Sequence, residues 1–456
     1  MNQLSLSGFL NPEATSLVSF YGAGGKTSLI NRLAEEMTAS GQKVLITTTT
    51  KIFAPSGIPL ILENNEKQIT GKLEEHYQQS SIAVLAAEAL PSGKLKGINP
   101  AIIEKIQRKL NIIVLVEADG AGKLPLKGHD LDEPVIPEKS DLIVPVVGAD
   151  ALGKSLDSHT VHRADKLAAA IGIAEGKLIT EDILARIFNY LTATGLRQAC
   201  RAKLVPVINK GDLLTSPGKT AWRVAGNMNP GERSENMLVS AALNKDPVKV
   251  VLNFRSGQPK IKVTCILLAA GASFRMGRDK LILPFGENTI LEHTIEKINR
   301  SGIDDVIVVA RPDQLLVELL TSTRYRFVIN EDYRSGIASS VKAGIEAVDS
   351  NTQGILFALA DQPLIPTSVY RQIIASYKEN FKAVTCPIYA GQRGNPVLFD
   401  RRTWPSLMNL KGDVGGRKII NTLPPDEINC QIVDTESVLQ DIDTPDDYRN
   451  LFNLTE

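Results

Sequence analysis

The sequence predicts an α/β fold in two domains, on three observations. Short apolar runs alternate with amphipathic helical patterns along nearly the whole chain, the arrangement that builds parallel sheets with crossover helices. Each half opens with a strand running into a glycine-rich loop. Between the halves, Arg255-Ser-Gly-Gln-Pro-Lys260 is polar and carries both Gly and Pro, which marks a connection. The expected division is therefore 1–255, a linker at 256–261, and 262–456. In the first half the predicted strands are Leu17 to Tyr21, Lys43 to Thr47, Ile112 to Glu117, Leu142 to Val147 and Leu204 to Ile208. In the second they are Thr264 to Ala269, Val306 to Val309, Arg326 to Ile329, Gly354 to Leu359 and Ala383 to Pro387, with Ile290, Leu291, Ile295 and Ile298 forming the apolar face of a helix between them.

A chain of 456 residues is too long for one ordinary core, so two domains that each bury their own apolar surface are the simplest solution. The 51 basic side chains balance 51 acidic ones, which leaves no bulk field for gathering polyanions and argues against nucleic acid as a partner. Cys200, Cys265, Cys386 and Cys430 show no paired spacing, so neither a disulfide framework nor a zinc ribbon is expected, and a reducing, cytoplasmic setting fits. No leader pattern or membrane-spanning apolar run is evident.

The strongest local pattern is Leu268-Ala-Ala-Gly-Ala-Ser-Phe-Arg-Met-Gly-Arg-Asp-Lys280, directly after a buried-type strand. Gly271 and Gly277 let the backbone turn and approach a ligand, so main-chain N–H groups can face a triphosphate, and Arg275 and Lys280 add positive charge. Asp361 follows the apolar strand Gly354 to Leu359, at the sheet edge where open α/β folds bind ligands. Magnesium takes hard oxygen donors and needs only one or two carboxylates, so a second acid should converge there. The alternatives for these acids are a turn residue before Pro363 for Asp361 and an N-cap ahead of Pro445 for Asp443.

The second half, from Thr264 to about Leu451, resembles the MocA/MobA-like nucleotidyltransferases that load molybdopterin with a nucleotide. The segments that carry the resemblance are the glycine loop above, Asn330 to Gly344, Leu359-Ala-Asp-Gln-Pro-Leu364, Gly394-Asn-Pro-Val397, Gly412-Asp-Val-Gly-Gly-Arg417 and Asp441-Ile-Asp-Thr-Pro-Asp-Asp447. The resemblance implies transfer of CMP from CTP, with Mg²⁺, to a molybdopterin-type cofactor. Arg275, Lys280 and Asp361 would be catalytic, and Asp361 with Asp443 would hold the metal, Asp441 being the competitor for second place. Leu268, Ala269, Ala270, Gly271, Gly277, Lys280, Asn330, Gly336, Ser339 and Ser340 would meet the nucleotide. Asn395, Asp413 and Arg417 would face the acceptor, although Asn395 also reads as a turn cap and Arg417 as a solvated helix residue. Ala270 stands where guanylyl-transferring relatives have a second glycine, which favours CTP. Relatives acting with GTP or on sugar or terpenoid phosphates are the enzyme alternatives.

The first half begins Val18-Ser-Phe-Tyr-Gly-Ala-Gly-Gly-Lys-Thr-Ser28, a strand entering glycines and then a helix. In P-loop logic Gly22, Gly24 and Gly25 form the turn, Lys26 reaches the β- and γ-phosphates, Thr27 ligates Mg²⁺ and Ser28 continues the cradle. The match is incomplete, because Phe20 occupies the place of the first glycine. Glu117 and Asp119, closing an apolar strand, are placed for a metal or a metal-linked water. Asn209-Lys210-Gly-Asp212 resembles the guanine-reading element of GTPases, with Ser240-Ala241 as companion loop, and so predicts GTP.

Taken together, Ser19 to about Ser240 resembles the selenium-dependent hydroxylase accessory proteins (YqeC-like). The residues that carry this are GAGGKTS, Thr47-Thr-Thr-Thr-Lys51, Glu117-Ala-Asp-Gly120, Pro125-Leu-Lys127, Glu133-Pro-Val-Ile-Pro137 and Val161-His-Arg163. His159 and His162 share a helical spacing, but a capped helix start or a phosphate-facing Arg163 is the preferred reading. The expectation is thus a P-loop-type nucleotide-binding domain fused to a doubly wound (Rossmann-like) nucleotidyltransferase domain, with a molybdenum hydroxylase apoenzyme as partner. A non-catalytic, nucleotide-switched assembly factor is the alternative from another class.

Overall fold

The computed structural model describes residues 5–10, 17–53, 57–229, 234, 236–255, 258–271, 279–323 and 325–452. It separates into two units, Met1–Lys260 and Ile261–Glu456. Among the described residues no helix is long and apolar enough to cross a membrane.

The first unit is built on β1 (Leu17–Gly22), β2 (Val44–Thr48), β3 (Leu60–Leu62), β4 (Ile82–Ala86), β5 (Ile113–Glu117), β6 (Leu142–Gly148), β7 (Val207–Asn209), β8 (Asn236–Ser240), β9 (Val248–Arg255) and β10 (Gln258–Lys260). They lie in the order β10-β9-β8-β7-β6-β1-β5-β2-β4-β3, parallel except for the β8-β9-β10 edge. The central strands are buried on both faces. Val18, Phe20, Ile113 and Leu115 enter one core cluster, while Leu17, Val114 and Val116 enter the other. That is why these strands read as unbroken apolar runs rather than as alternating ones. From the end of β1 the chain turns through Gly22, Gly24 and Gly25, all at positive φ, into α1 (Lys26–Ala39). Gly24 is sterically obligatory, because a Cβ there would lie 2.1 Å from the backbone nitrogen of Gly148. Two further helices of this unit are α2 (Ala164–Ile171) and α3 (Glu181–Gln198), the latter receiving a hydrogen bond from the Tyr21 hydroxyl at Leu191 O.

The second unit contains β11 (Val263–Ala269), β12 (Asp305–Ala310), β13 (Phe327–Ile329), β14 (Gly354–Leu359), β15 (Val384–Tyr389), β16 (Gln392–Arg393), β17 (Val397–Asp400) and β18 (Ile428–Ile432). Their order is β13-β12-β11-β14-β17-β15-β16, with β18 beside β15. Its helices include α4 (Ile290–Asn299), α5 (Ile337–Ala347), α6 (Thr367–Asn380) and α7 (Arg417–Thr422). The chain adds β12 and β13 on one side of β11 and then returns to place β14 on the other. This reversal opens a crevice at the carboxyl ends of β11 and β14, where doubly wound sheets take their ligands.

Two expectations need correction. The expected linker is not a free connection, because Gln258–Lys260 pairs antiparallel with Asn253, Phe254 and Arg255 and closes the sheet edge of the first unit. The ladder satisfies backbone groups that a linker would leave to water. The second sheet is also mixed, since β17, which was not anticipated, runs antiparallel between β14 and β15.

Candidate functional site

In the second unit the sheet reversal brings the tips of β11 and β14 side by side, Leu268 against Leu359, and delivers Asp361 two residues beyond β14. Lys280, whose side chain is almost wholly buried, places its ammonium 2.6 Å from Asp361 Oδ2 and 2.9 Å from Asp443 Oδ1. Burial alone would depress the lysine, but the two carboxylates outweigh it and hold its pKa above the ordinary value. Asp441 is engaged differently. It accepts a hydrogen bond from Gln362 Nε2 at 2.6 Å, and burial, with Asp361 nearby, raises its pKa. The N-cap reading of Asp443 is overturned, because Thr444 takes that place, its hydroxyl accepting from Asp447 N while Asp447 Oδ2 accepts from Thr444 N.

These residues fit a magnesium ion. Asp361 and Asp443 offer hard carboxylate oxygens to one point, now held by an ammonium as the counter-charge, and the remaining positions of an octahedral ion are ordinarily water and phosphate oxygen. Among the described residues no three His, Cys, Asp or Glu side chains gather as a self-sufficient metal cage.

Beside this cluster lies a cavity of about 690 Å³ bordered by Leu268, Gln362, Asn395, Arg417, Cys430 and Asp441, among others. Arg417 opens α7, and Asn395 sits on the connection from β16 to β17. Asp413, expected on the acceptor side, does not border this cavity. Its Oδ1 accepts from Ile337 N at the start of α5, where a carboxylate satisfies a free helix N–H. Gly336, at φ +106°, lies so close to Gly412 that a Cβ would meet its carbonyl carbon at 2.4 Å, which docks the two loops together. Asn330 Nδ2 donates to Ser339 Oγ and Ser340 Oγ at 2.8 and 2.9 Å, which fixes the first turn of α5 to the end of β13. Ala269 and Ala270 are buried and Gly271 is exposed. Arg275 and Gly277 lie outside the described residues. The flanks of that loop are held by Arg311, which donates to Gly271 O at 2.6 Å and pairs with Asp279.

In the first unit Lys26 is buried, donating to Gly22 O at 2.7 Å and lying 3.1 Å from Asp119 Oδ1 and 3.8 Å from Glu117 Oε1. The Thr27 hydroxyl donates to Glu117 Oε2 at 2.9 Å, and Gly22 N donates to Asp119 Oδ2 at 2.9 Å. Ser28 is half-buried in the first turn of α1. The glycine turn, the first helical turn and the end of β5 are thus tied into one cluster. Burial raises Glu117, with Lys26 opposing. It would raise Asp119 too, but Lys26, the His129 hydrogen bond and Lys127 hold that carboxyl well below its usual range. Asn209 Nδ2 donates to Gly24 O at 2.9 Å while its Oδ1 accepts from Ser240 Oγ and Ala242 N, so the side chain staples the glycine turn to the 240–242 loop. Lys210, at positive φ, pairs with Asp150 at 2.7 Å, and Asp212 is exposed on a short 3₁₀ turn.

Each unit matches a different family. Residues 18–165 match the family described as YqeC protein, and residues 265–428 match the MobA-like NTP transferase domain. The chain belongs to the YqeC family through its first half, and its second half carries a match to the MobA-like NTP transferase domain. The first half is 34% identical over 177 residues to the uncharacterized protein YqeC of Escherichia coli, covering 38% of this chain and 67% of that one. Nicotine blue oxidoreductase of Paenarthrobacter nicotinovorans is 31% identical over 194 residues, 40% of this chain and 92% of its own. The molybdenum cofactor cytidylyltransferase of Escherichia coli is 28% identical over 187 residues, 41% of this chain and 93% of its own.

Around the YqeC-domain site the sequence reading missed several partners. His129 Nε2 lies 2.6 Å from Asp119 Oδ2 and its Nδ1 lies 3.2 Å from the Tyr190 hydroxyl, while the buried Lys127 pairs with Glu133 at 2.8 Å. Arg163, for which a capped helix start or a phosphate-facing role was expected, stands at the N-cap of α2 and pairs with Glu133 and with Asp130 at 2.8 Å. The one legible sign was the clustering of Lys127, His129, Asp130 and Glu133 directly after the Asp119 turn. In the MobA-like domain the missed residue is Arg311, whose position after β12 marked the same sheet edge as Asp361.

Proposed function

We propose that the MobA-like domain transfers CMP from CTP to the phosphate of a molybdopterin-type cofactor, with release of pyrophosphate. We propose further that the YqeC domain binds GTP and supports delivery of the product to a molybdenum hydroxylase apoenzyme. The observation that carries the first reading is the convergence of Lys280, Asp361 and Asp443 at the sheet reversal, beside a cavity large enough for a drug-sized ligand. CTP is favoured over GTP by Ala270 and by the relative named a molybdenum cofactor cytidylyltransferase, 28% identical, against 24% for a probable molybdenum cofactor guanylyltransferase.

The chain needs no nucleophile of its own. The acceptor phosphate oxygen attacks the α-phosphorus of CTP, the bond from that phosphorus to the bridging oxygen breaks, and pyrophosphate carries the electron pair away. Lys280 is the cation aimed at the phosphoryl oxygens, and Asp361 and Asp443 orient its ammonium. Asn395 and Arg417 hold the acceptor from the cavity side. Magnesium, when bound at Asp361 and Asp443, would supply charge neutralisation of the triphosphate. In the YqeC domain Lys26 and the N-terminal turn of α1 receive the phosphates on this reading, which the Asn209 hydrogen bond to Gly24 O in the glycine turn supports. Purified protein given CTP, molybdopterin and Mg²⁺ should release pyrophosphate, and more slowly with GTP. No release with any nucleoside triphosphate would remove the transferase reading.

A further inference from the structure

Cys386 of β15 and Cys430 of β18 are direct partners across two parallel strands, and their sulfurs stand 3.9 Å apart. Cys386 is buried, whereas Cys430 is exposed and borders the cavity described above. Neighbouring strands lie about 4.8 Å apart, within the roughly 4.4–6.8 Å separation of Cα atoms that a disulfide accepts. The sulfurs can therefore meet by side-chain rotation, without separating the ladder. Access divides the labour between them. Solvent reagents reach Cys430, while burial, with Cys430 alongside, pushes the Cys386 thiol up to about 12, which slows it towards outside reagents and leaves it the sulfur 3.9 Å away. Cys265 is buried in β11 and Cys200 belongs to the other unit, so neither competes for this partnership.

We propose that Cys386 and Cys430 form a reversible thiol–disulfide site in the wall of the cavity. The oxidant is a low-molecular-weight disulfide. The Cys430 thiolate attacks one of its sulfurs, the S–S bond breaks, and the first thiol leaves after taking up a proton. The Cys386 sulfur then attacks the Cys430 sulfur of the mixed disulfide, and the second small thiol leaves as a thiolate that takes up the Cys386 proton. Two protein thiols are oxidised by two electrons, and one small disulfide is reduced to two thiols. Closure draws the Cys430 sulfur out of the cavity wall towards β15, whose turn into β16 leads to Asn395. Oxidation therefore changes the shape of the side assigned above to the acceptor, although the thiol chemistry itself does not depend on which group the domain transfers.

The test uses the full chain carrying Cys200→Ser, oxidised with graded ratios of oxidised to reduced glutathione, then read by intact mass and by thiol titration under denaturing conditions. The expected result is the loss of two titratable thiols with a mass decrease of about 2 Da, both reversed by dithiothreitol. Adding Cys386→Ser should abolish that decrease and leave a glutathione adduct on Cys430. A persistent adduct on Cys430 with Cys386 still titratable, or no change at any ratio, overturns the proposal. Whether CTP-dependent pyrophosphate release occurs is read separately on the reduced protein, so failure of the proposed transfer and failure of the thiol site are distinguishable.

Discussion

Lys280 and Asp361, 81 positions apart in sequence, meet through a 2.6 Å ion pair at the mouth of the second sheet, and Asp443 completes the contact from the far end of the domain. Replacing Asp361 by Asn keeps the shape of the side chain and leaves Asp443 to hold the lysine, so the fold should survive. The charge that would hold a divalent cation is lost, and that matters more in the transition state than in the ground state. The transfer rate at saturating Mg²⁺ should fall on the order of 10²-fold or more, as when an oxyanion donor is removed. Activity within a few-fold of the parent would take Asp361 out of the catalytic machinery.

Asp212 stands exposed just beyond the Asn209 staple. If it reads guanine, its carboxylate accepts from the N1–H and the exocyclic amine, and Asp212→Asn puts a donor where an acceptor was required. Calorimetry should show weaker binding of GTP and a gain for xanthosine triphosphate. Equal affinity of the parent for ATP and GTP would rule out guanine recognition.

Acid should expose the role of Asp119. Its carboxyl lies below the unfolded value of about 3.9, so the stabilisation it contributes is complete above that pH and is lost as pH falls through the depressed folded value. Glu117 shifts the other way, which makes the informative quantity the difference between parent and Asp119→Asn. That variant removes the carboxylate shared by Lys26, Lys127 and His129, leaving Lys127 only Glu133 and Lys26 only Glu117 and Gly22 O, and should cost about 3 kcal/mol at neutral pH. Urea midpoints for the pair should converge as pH is lowered below about 4. A gap that stays constant down to pH 2 would show that the carboxyl is not held below its unfolded value.

The hairpin of β9 and β10 places the end of the first unit at Lys260. A fragment of residues 261–456 should fold and retain the transfer activity of the full chain, and a fragment of 1–260 should unfold cooperatively. Ending the first fragment at Arg255 removes β10 and bares the ladder groups of β9, so its melting temperature should drop by several degrees, about 1 kcal/mol of lost edge pairing. Identical melting of the two fragments would mean that β10 adds nothing.

Much of this was legible because it is local. The glycine turn of Gly22, Gly24 and Gly25, the apolar β1 and β14, and Asp361 at a strand end all declare themselves within a dozen residues. What was not legible depends on register between distant segments. Nothing near Asp119 announces that His129 folds back onto it, and Cys386 and Cys430 become neighbours only because β18 pairs with β15. β17 escaped notice because four residues after Pro396 are too few to show a period. The Gly-Pro segment before β11 read as a linker for a similar reason, since an edge strand with one face to solvent can be polar and carry proline.

Both units hold a lysine between two acids, Lys26 with Glu117 and Asp119, Lys280 with Asp361 and Asp443. In each, the ammonium occupies the point on which the two carboxylates converge. A divalent cation arriving alone must displace the ammonium to reach both acids. A triphosphate arriving alone must compete with the carboxylates for the same lysine. Arriving together, they exchange partners: the cation takes the acids while the ammonium turns to the phosphates. Metal and nucleotide should therefore enter each site with positive linkage, each tightening the other by the same factor.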